Sequence, residues 1–112
     1  MGASLVLVSA ADHDRVLAKT SHLPHLLAYA YMSLLDKSEF NLAGGGLEDF
    51  TRISESNPDM WWEIFQLNRE ELLEALRTFS MVIDKFDRAL SEVTRDSVID
   101  LMVSSSEKRK NL

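Results

Sequence analysis

Two histidines three residues apart, His22 and His25, are the first candidates for chemistry in this sequence. In a helix they share one face, as two metal ligands would. Pro24 lies between them and has no backbone N–H, so a carbonyl of the preceding turn is left free. Because no third ligand is near in sequence, two half-buried histidines hydrogen-bonded at a helix bend are a simpler interpretation than a metal site.

A second group of candidates follows a run of glycines. Gly44-Gly45-Gly46 before a helix could offer backbone N–H groups to an anion, or could be a plain flexible turn. It is not a dinucleotide motif, because the G-x-G-x-x-G spacing and a preceding strand are absent from the pattern. Arg52 could hold a carboxylate through two parallel hydrogen bonds, with Asp49 one turn earlier fixing its side chain. The alternative is an exposed ion pair between these two residues, worth less than about 1 kcal/mol.

The composition limits which kind of protein could carry these residues. The 112 residues are 46% hydrophobic and 27% charged, which indicates one folded domain. There is no cysteine, so disulfides, thiolate metal sites and cysteine nucleophiles are excluded. The formal net charge of −6 disfavours nucleic acid as a partner. No apolar run approaches the roughly 20 residues of a membrane span, and no signal peptide is recognisable, so the cytoplasm is the expected location.

The first element that must position the candidates is a long helix. Ser9 is its predicted N-cap, and the helical pattern runs to about Asp36. Pro24 should kink or break this helix near Thr20. A polar connector, Lys37–Asn41, is predicted to follow.

The glycine run is predicted to lead into a short helix. Its apolar residues recur every three positions, at Leu47, Phe50 and Ile53. Asn57-Pro58 begins the next helix, with asparagine as N-cap and proline in the first turn. Trp61 and Trp62 cannot both face the core, so one of them should lie at an interface or at the edge of a site.

The second half of the chain has the pattern of helix-on-helix packing. Asn68 begins a helix through a predicted capping box, and apolar residues then alternate at spacings of four and three. These seam residues are Leu72, Leu76, Phe79, Ile83, Phe86, Leu90 and Val93. A helix of about 25 residues is about 37 Å long and exceeds the roughly 26 Å diameter of a compact chain of this size. We therefore expect a homodimer with an apolar interface above about 2,000 Å².

The two ends of the chain complete the prediction. Leu5–Val8 is the one β-like segment in the pattern, and a last helix is predicted at about Arg95–Ser105. The polar residues Glu107–Leu112 are expected to fray. The result is an all-α fold of four or five helices, two of them long, with residues 9–106 as the helical domain.

Several segments, read together, resemble one enzyme family. In order and spacing they are similar to the C-terminal domain of prephenate dehydrogenases and of the related arogenate dehydrogenases. The matching stretches are Asp12-His13-Asp14-Arg15, Thr20-Ser21-His22-Leu23-Pro24-His25, Leu42-Ala43-Gly44-Gly45-Gly46, Asp49-Phe50-Thr51-Arg52-Ile53, Asn57-Pro58-Asp59-Met60-Trp61 and Asn68-Arg69-Glu70.

The resemblance implies a helical dimerisation domain of the 6-phosphogluconate-dehydrogenase C-terminal-like type. It also implies a separate Rossmann domain that binds NAD or NADP and supplies the catalytic histidine. Residues 1–8 would be the remnant of that domain, so the chain is interpreted as a fragment with no catalytic, cofactor-binding or metal-ligating residue of its own. The implied reaction is the oxidative decarboxylation of prephenate to 4-hydroxyphenylpyruvate in tyrosine biosynthesis.

The resemblance also assigns site residues. It makes Arg52 the ligand of a substrate carboxylate and Asp49 part of an ionic network that crosses the dimer, with Trp61 nearby. It places His22 and Gly45 near the substrate or near tyrosine as an inhibitor. For His25 we expect a structural role.

Two other interpretations remain open at this point. The chain could be a non-catalytic helical dimer module that binds tyrosine as an effector, or the helical domain of a different Rossmann-type dehydrogenase. These residues do not indicate whether the enzyme uses NAD or NADP. They also do not indicate whether its substrate is prephenate or arogenate.

Overall fold

The computed structural model describes residues 9–92 and 95–112, and every regular element in those ranges is helical. This confirms the predicted all-α fold. The predicted strand Leu5–Val8 and the seam residue Val93 lie outside the described residues. No described helix is both long and apolar enough to cross a membrane.

The elements follow one another with short connections. They are α1 (Ala10–Leu17), a π-helical turn (Ala18–His22), α2 (Leu23–Leu34), a first 3₁₀ helix (Lys37–Leu42), α3 (Gly45–Thr51), a second 3₁₀ helix (Arg52–Glu55), α4 (Pro58–Leu67), α5 (Arg69–Ser91) and α6 (Arg95–Lys110). The described residues fall into two compact units, one formed by residues 9–76 and the other by residues 77–112 without 93 and 94.

The first predicted helix forms and contains a π-helical turn where proline interrupts it. Ser9 caps α1 by accepting a hydrogen bond from the Asp12 backbone N–H at 3.2 Å, as predicted. The backbone N–H of Leu23 donates to the Ala18 carbonyl five residues earlier, so α1 and α2 are joined through a wider turn. Pro24 in the first turn of α2 explains this arrangement, because it cannot donate a backbone hydrogen bond. The predicted kink is therefore a π-turn just before the proline.

The core of the first unit includes residues of this turn, which ends at His22. Its buried residues are Ala18, His22, Leu23, Ala28, Thr51, Trp61, Leu72 and Ala75. The hydroxyl of Tyr29 donates to the Ser56 carbonyl at 2.8 Å and thereby ties α2 to the end of the second 3₁₀ helix. Tyr31 meets Phe50 of α3 edge to face, with ring centroids 5.0 Å apart. Helix α2 is thus the element against which the Arg52 region is held.

Two local predictions are corrected by the structure. The segment predicted as a polar connector forms the first 3₁₀ helix, because Asp36 and Glu39 make a reciprocal capping box around its first turn. Helix α3 already begins at Gly45, so two of the three glycines lie inside its first turn.

Helix α4 begins where the sequence predicts it. The side-chain oxygen of Asn57 accepts hydrogen bonds from the backbone N–H groups of Asp59 and Met60 at 2.9 and 3.3 Å. Trp61 is 9% exposed and Trp62 is 63% exposed, which confirms that only one of them faces the core.

Helix α5 exposes much of the predicted seam. Leu72, at the start of α5, is buried, but Ile83 is 51% and Leu90 63% exposed. Met81 and Val82 lie beside them and are exposed as well. A helix whose apolar residues remain this accessible in a single chain has an apolar face left to cover.

The C-terminal segment does not fray as predicted. Helix α6 continues to Lys110, five residues past its predicted end at Ser105. Lys108, Arg109 and Lys110 lie in its last turn, where cations are favoured by the negative end of the helix dipole. An ion pair of 3.1 Å between Lys110 and Glu107 adds to this effect.

Candidate functional site

The π-turn places His22 in a cluster of aromatic and polar side chains. We call His22, His25, Trp61 and Asn68 the histidine–tryptophan cluster. His25 stacks on Trp61 with ring centroids 3.4 Å apart and an interplanar angle of 17°, and His22 meets Trp61 edge to face at 6.3 Å. The predicted site residues His22 and Trp61 are therefore brought together, although they lie 39 positions apart in sequence.

The two histidines make different hydrogen bonds. The Nδ1 atom of His25 lies 3.0 Å from the carbonyl oxygen of Ser21, which can only accept, so Nδ1 of His25 is the donor. The Nδ1 atom of His22 lies 3.3 Å from the side-chain nitrogen of Asn68. The same nitrogen donates to the Asp14 carbonyl at 2.8 Å. From the sequence, Asn68 is expected to cap a helix, and these bonds are not predictable, since nothing local in the sequence links position 68 to position 22.

The surroundings of His22 shift the pKa of its imidazole. Its side chain is buried, at 8% exposure. Burial lowers the pKa of His22 below its ordinary value of 6.5, and the neighbouring His25 lowers it further, while Asp14 acts in the opposite direction. The folded chain therefore favours a neutral imidazole at position 22.

This lowered pKa predicts how stability depends on pH. As the pH falls below about 6.5, the unfolded chain takes up a proton at position 22 before the folded chain does, so the free energy of unfolding decreases. We expect His22→Asn to flatten the dependence of unfolding free energy on pH below about 6.5, measured by urea denaturation at several pH values.

The matched control for that measurement is His13→Asn. His13 is an exposed histidine of α1, so its replacement removes an imidazole without changing the cluster. Equal slopes for His22→Asn and the wild-type chain would show that the burial of His22 does not disfavour its protonation.

Arg52 and Asp49 line a cleft of about 430 Å³ bounded by α2, α3 and the second 3₁₀ helix, and no residue of the histidine–tryptophan cluster lines it. Its walls are formed by Met32, Glu48, Asp49, Thr51, Arg52, Ser54 and Glu55. Thr51 is buried and its hydroxyl donates to the Leu47 carbonyl, which anchors the turn that carries Arg52. Among these residues Arg52 is the cation, and Glu48, Asp49 and Glu55 contribute three carboxylates to the same cleft.

The guanidinium of Arg52 makes no ion pair or hydrogen bond with the described part of the chain. The expected pair with Asp49 therefore does not form. Asp12 and Arg15 have the same spacing of three and do pair, at 3.0 Å. Spacing alone therefore does not decide the pairing, and Arg52 remains able to bind a carboxylate from outside this chain.

Gly45 lines a neighbouring cleft of about 510 Å³, which shares Met32, Glu48, Thr51 and Glu55 with the first. A Cβ atom added at Gly45 would meet nothing within 4 Å. The helix that begins there has seven residues, too few to make a strong anion site at its N-terminus.

The predicted site residues thus form two groups in the single chain. His22 and Trp61 belong to the histidine–tryptophan cluster, whereas Arg52, Asp49 and Gly45 line the two adjoining clefts. In the described ranges no group of three or more histidine, aspartate or glutamate side chains is placed to hold a metal ion. The Nδ1 atoms of His22 and His25 are instead engaged in hydrogen bonds to protein groups.

Comparison with protein families decides the relationship of this chain. Residues 9–104 match the family model described as prephenate dehydrogenase, dimerization domain. The chain belongs to this family. The resemblance found in the sequence motifs is therefore confirmed, and it covers both units of the structure.

Individual relatives agree with this assignment to the dimerization-domain family. The cyclohexadienyl dehydrogenase of Zymomonas mobilis is 31% identical over 97% of this chain and 40% of its own length. The prephenate dehydrogenase of Lactococcus lactis is 36% identical over 85% of this chain and 28% of its own length. This dimerization-domain chain thus spans two fifths or less of the curated relatives it matches.

Solved structures show the same arrangement of helices. The Aquifex aeolicus prephenate dehydrogenase in complex with hydroxyphenyl propionate and NAD+ superposes with a TM-score of 0.85 at 30% identity, over 93% of this chain and 38% of that chain. The Synechocystis arogenate dehydrogenase superposes with a TM-score of 0.88 at 24% identity, over 96% of this chain and 42% of that chain, and this likeness concerns the fold.

The described residues do not form the kind of site that holds a nicotinamide dinucleotide. Such cofactors are held where a strand of a parallel sheet turns through a glycine-rich loop into a helix. The described residues contain no strand, and Gly44-Gly45-Gly46 follows a 3₁₀ helix. No step of hydride transfer is therefore assigned to residues of this chain.

Proposed function

We propose that this chain supplies the dimer interface and the substrate-carboxylate site of a prephenate dehydrogenase. That enzyme oxidatively decarboxylates prephenate with a nicotinamide cofactor bound by another domain. The observation that carries the proposal is the state of Arg52, which lies at an open cleft without a carboxylate partner among the described residues. Its position in the sequence is the one that the family resemblance assigns to substrate binding.

The charges at the cleft support an anionic ligand held by this one cation. Prephenate carries two carboxylates, and a guanidinium can meet one of them with two parallel hydrogen bonds. Glu48, Asp49 and Glu55 would repel an anion that was not held by Arg52. Recognition should therefore depend strongly on the position of this guanidinium.

The dimer is part of the same proposal. The exposed apolar residues of α5, including Ile83 and Leu90, offer a surface for a second copy of the chain. The separation of the two groups of site residues in one chain agrees with a site to which both protomers contribute, as the resemblance implies for Asp49. We infer a homodimer in which the Arg52 cleft and a histidine–tryptophan cluster contribute to binding the same ligand.

A domain replacement tests this function. The matching region of the Lactococcus lactis prephenate dehydrogenase is replaced by this chain, and prephenate-dependent reduction of the nicotinamide is measured. We expect the chimera to be active and the 112-residue chain alone to be inactive, because the described residues offer no cofactor-binding unit.

Two results would contradict the proposal. One is oxidation of prephenate by the 112-residue chain alone. The other is a chimera that is folded and dimeric yet does not bind hydroxyphenyl propionate or oxidise prephenate. Titration of the chimera with tyrosine separates a purely regulatory site from a substrate site, since an effector module would bind tyrosine without supporting turnover.

A further inference from the structure

Asn68 lies between two hydrogen-bond partners with different requirements. Its side-chain nitrogen is 2.8 Å from the Asp14 carbonyl oxygen and 3.3 Å from Nδ1 of His22. A backbone carbonyl can only accept, so the NH₂ end of the amide, and not its oxygen, must face Asp14. The second hydrogen of the same NH₂ group is then available to His22.

This geometry determines which nitrogen of His22 carries the proton. An NH₂ group has no acceptor capacity, so Nδ1 of His22 must present a lone pair to it. In the neutral ring the proton is then on Nε2, which makes Nε2 a donor. His25 has the opposite arrangement, because its Nδ1 donates to the Ser21 carbonyl.

The Nε2 atom of His22 has no hydrogen-bond partner in the part of the chain that the structure describes. In the same part, no buried side-chain nitrogen or oxygen lacks a partner, so Nε2 is not fully enclosed. The ring is therefore held by its Nδ1 edge and keeps an accessible N–H on its Nε2 edge.

We propose that Asn68 is a positioning residue that holds His22 in the Nε2–H tautomer and thereby presents this N–H to an acceptor oxygen of the ligand. The inference rests on the proposed function, in which His22 contacts the substrate. Asn68, at the α4–α5 junction, is thereby added to the proposed substrate site. Its role is to orient His22 and not to contact the ligand. The lowered pKa of His22 agrees with this role, because a neutral ring is needed to accept at Nδ1.

The tautomer can be measured directly on the ¹⁵N-labelled 112-residue chain without any ligand. Two-bond ¹H–¹⁵N correlation spectra at about pH 8, where histidine is neutral, distinguish Nδ1–H from Nε2–H rings. We expect Nε2–H for His22 and Nδ1–H for His25, which serves as an internal reference. In Asn68→Asp the carboxylate can only accept, so the His22 proton should move to Nδ1.

A binding measurement shows whether the tautomer matters for the ligand. Hydroxyphenyl propionate is titrated into the chimera that carries the wild-type chain and into its Asn68→Asp and Asn68→Ala variants. At about pH 8 we expect Asn68→Asp to bind at least about tenfold more weakly, the effect of one lost hydrogen bond to a charged acceptor. Lowering the pH should restore part of this affinity, since a doubly protonated ring again carries a proton on Nε2. The control Gln66→Asp adds the same charge at an exposed position of α4 and should bind like wild type.

The outcomes separate this inference from the proposed function. An Nδ1–H tautomer of His22 in the wild-type chain would overturn the role of Asn68, and this measurement does not depend on the folding of any variant. Unchanged tautomer and affinity in a folded Asn68→Asp chain would overturn it as well. If the folded chimera failed to bind hydroxyphenyl propionate, the proposed function would be contradicted, and the tautomer spectra of the 112-residue chain would still decide the role of Asn68.

Discussion

Ile83→Asp is expected to convert the dimer into a folded monomer. Ile83 lies midway along α5 and is 51% exposed in the single chain, so the carboxylate can remain solvated in a monomer. In a symmetric dimer the substitution would place one unpaired charge on each side of an apolar interface. Since each buried ion costs several kcal/mol, two of them should weaken association by about 10⁴-fold or more. Sedimentation velocity at micromolar concentration measures the change.

Two further measurements make this expectation specific. Lys85→Asp places the same side chain two residues later, at an exposed position on a different face of α5, and should leave the dimer intact. Circular dichroism should show that Ile83→Asp retains the helix content of the wild-type chain. A variant that sediments as a dimer would show that this face of α5 is not the interface.

Arg52→Ala is expected to raise the Michaelis constant for prephenate at least about thirty-fold in the active chimera. Removing one partner of a desolvated charge pair costs about 2–5 kcal/mol, which corresponds to this factor and upward. The effect should be large because the other charged residues of the cleft are Glu48, Asp49 and Glu55, so no second cation there can take over. Arg52→Lys should keep the charge and still lose much of the binding, since an ammonium cannot form the two parallel hydrogen bonds.

A control variant and the Michaelis constant for the nicotinamide distinguish a loss of prephenate binding from a general loss of structure. Arg88→Ala removes an exposed arginine that already pairs with Asp84 at 2.8 Å, and it should change neither constant appreciably. The Michaelis constant for the nicotinamide should hardly change in Arg52→Ala, because the proposed function assigns that cofactor to another domain. If the constant for prephenate stayed the same, Arg52 would be an ordinary surface residue and the proposed carboxylate site would be wrong.

The sequence by itself determined the local structure of this protein to a large extent. Ser9 and Asn57 begin helices where their side chains were expected to cap them, since capping requires only backbone N–H groups two or three residues away. The distortion before Pro24 was predictable for the same reason, because the missing N–H is a property of that residue. The 3₁₀ helix Lys37–Leu42 was not predicted. It depends on local hydrogen bonds, and the spacing of apolar residues does not indicate such bonds.

Motifs in the sequence indicated candidate site residues, but they did not indicate how these residues are arranged. The order of these motifs indicated the family, and the match to the family model confirmed it. The sequence did not indicate that Asp49 and Arg52 fail to pair while Asp12 and Arg15 do so at the same spacing. Pairing between charged side chains depends on rotamers and on the surrounding surface, and these vary between helices of similar sequence.

Only the tertiary structure decided what surrounds His22. Asn68 reaches it across 46 positions, and Trp61 lies against His25 across 36. Local propensities and apolar periodicity specify which face of each helix is buried, but not which polar group of another helix meets it. The hydrogen bond between Asn68 and His22 forms because the packing of α1, the π-turn and the α4–α5 junction brings an NH₂ group to within 3.3 Å of one ring nitrogen. That distance, which follows from the packed core and not from either residue type, sets the tautomer of the histidine.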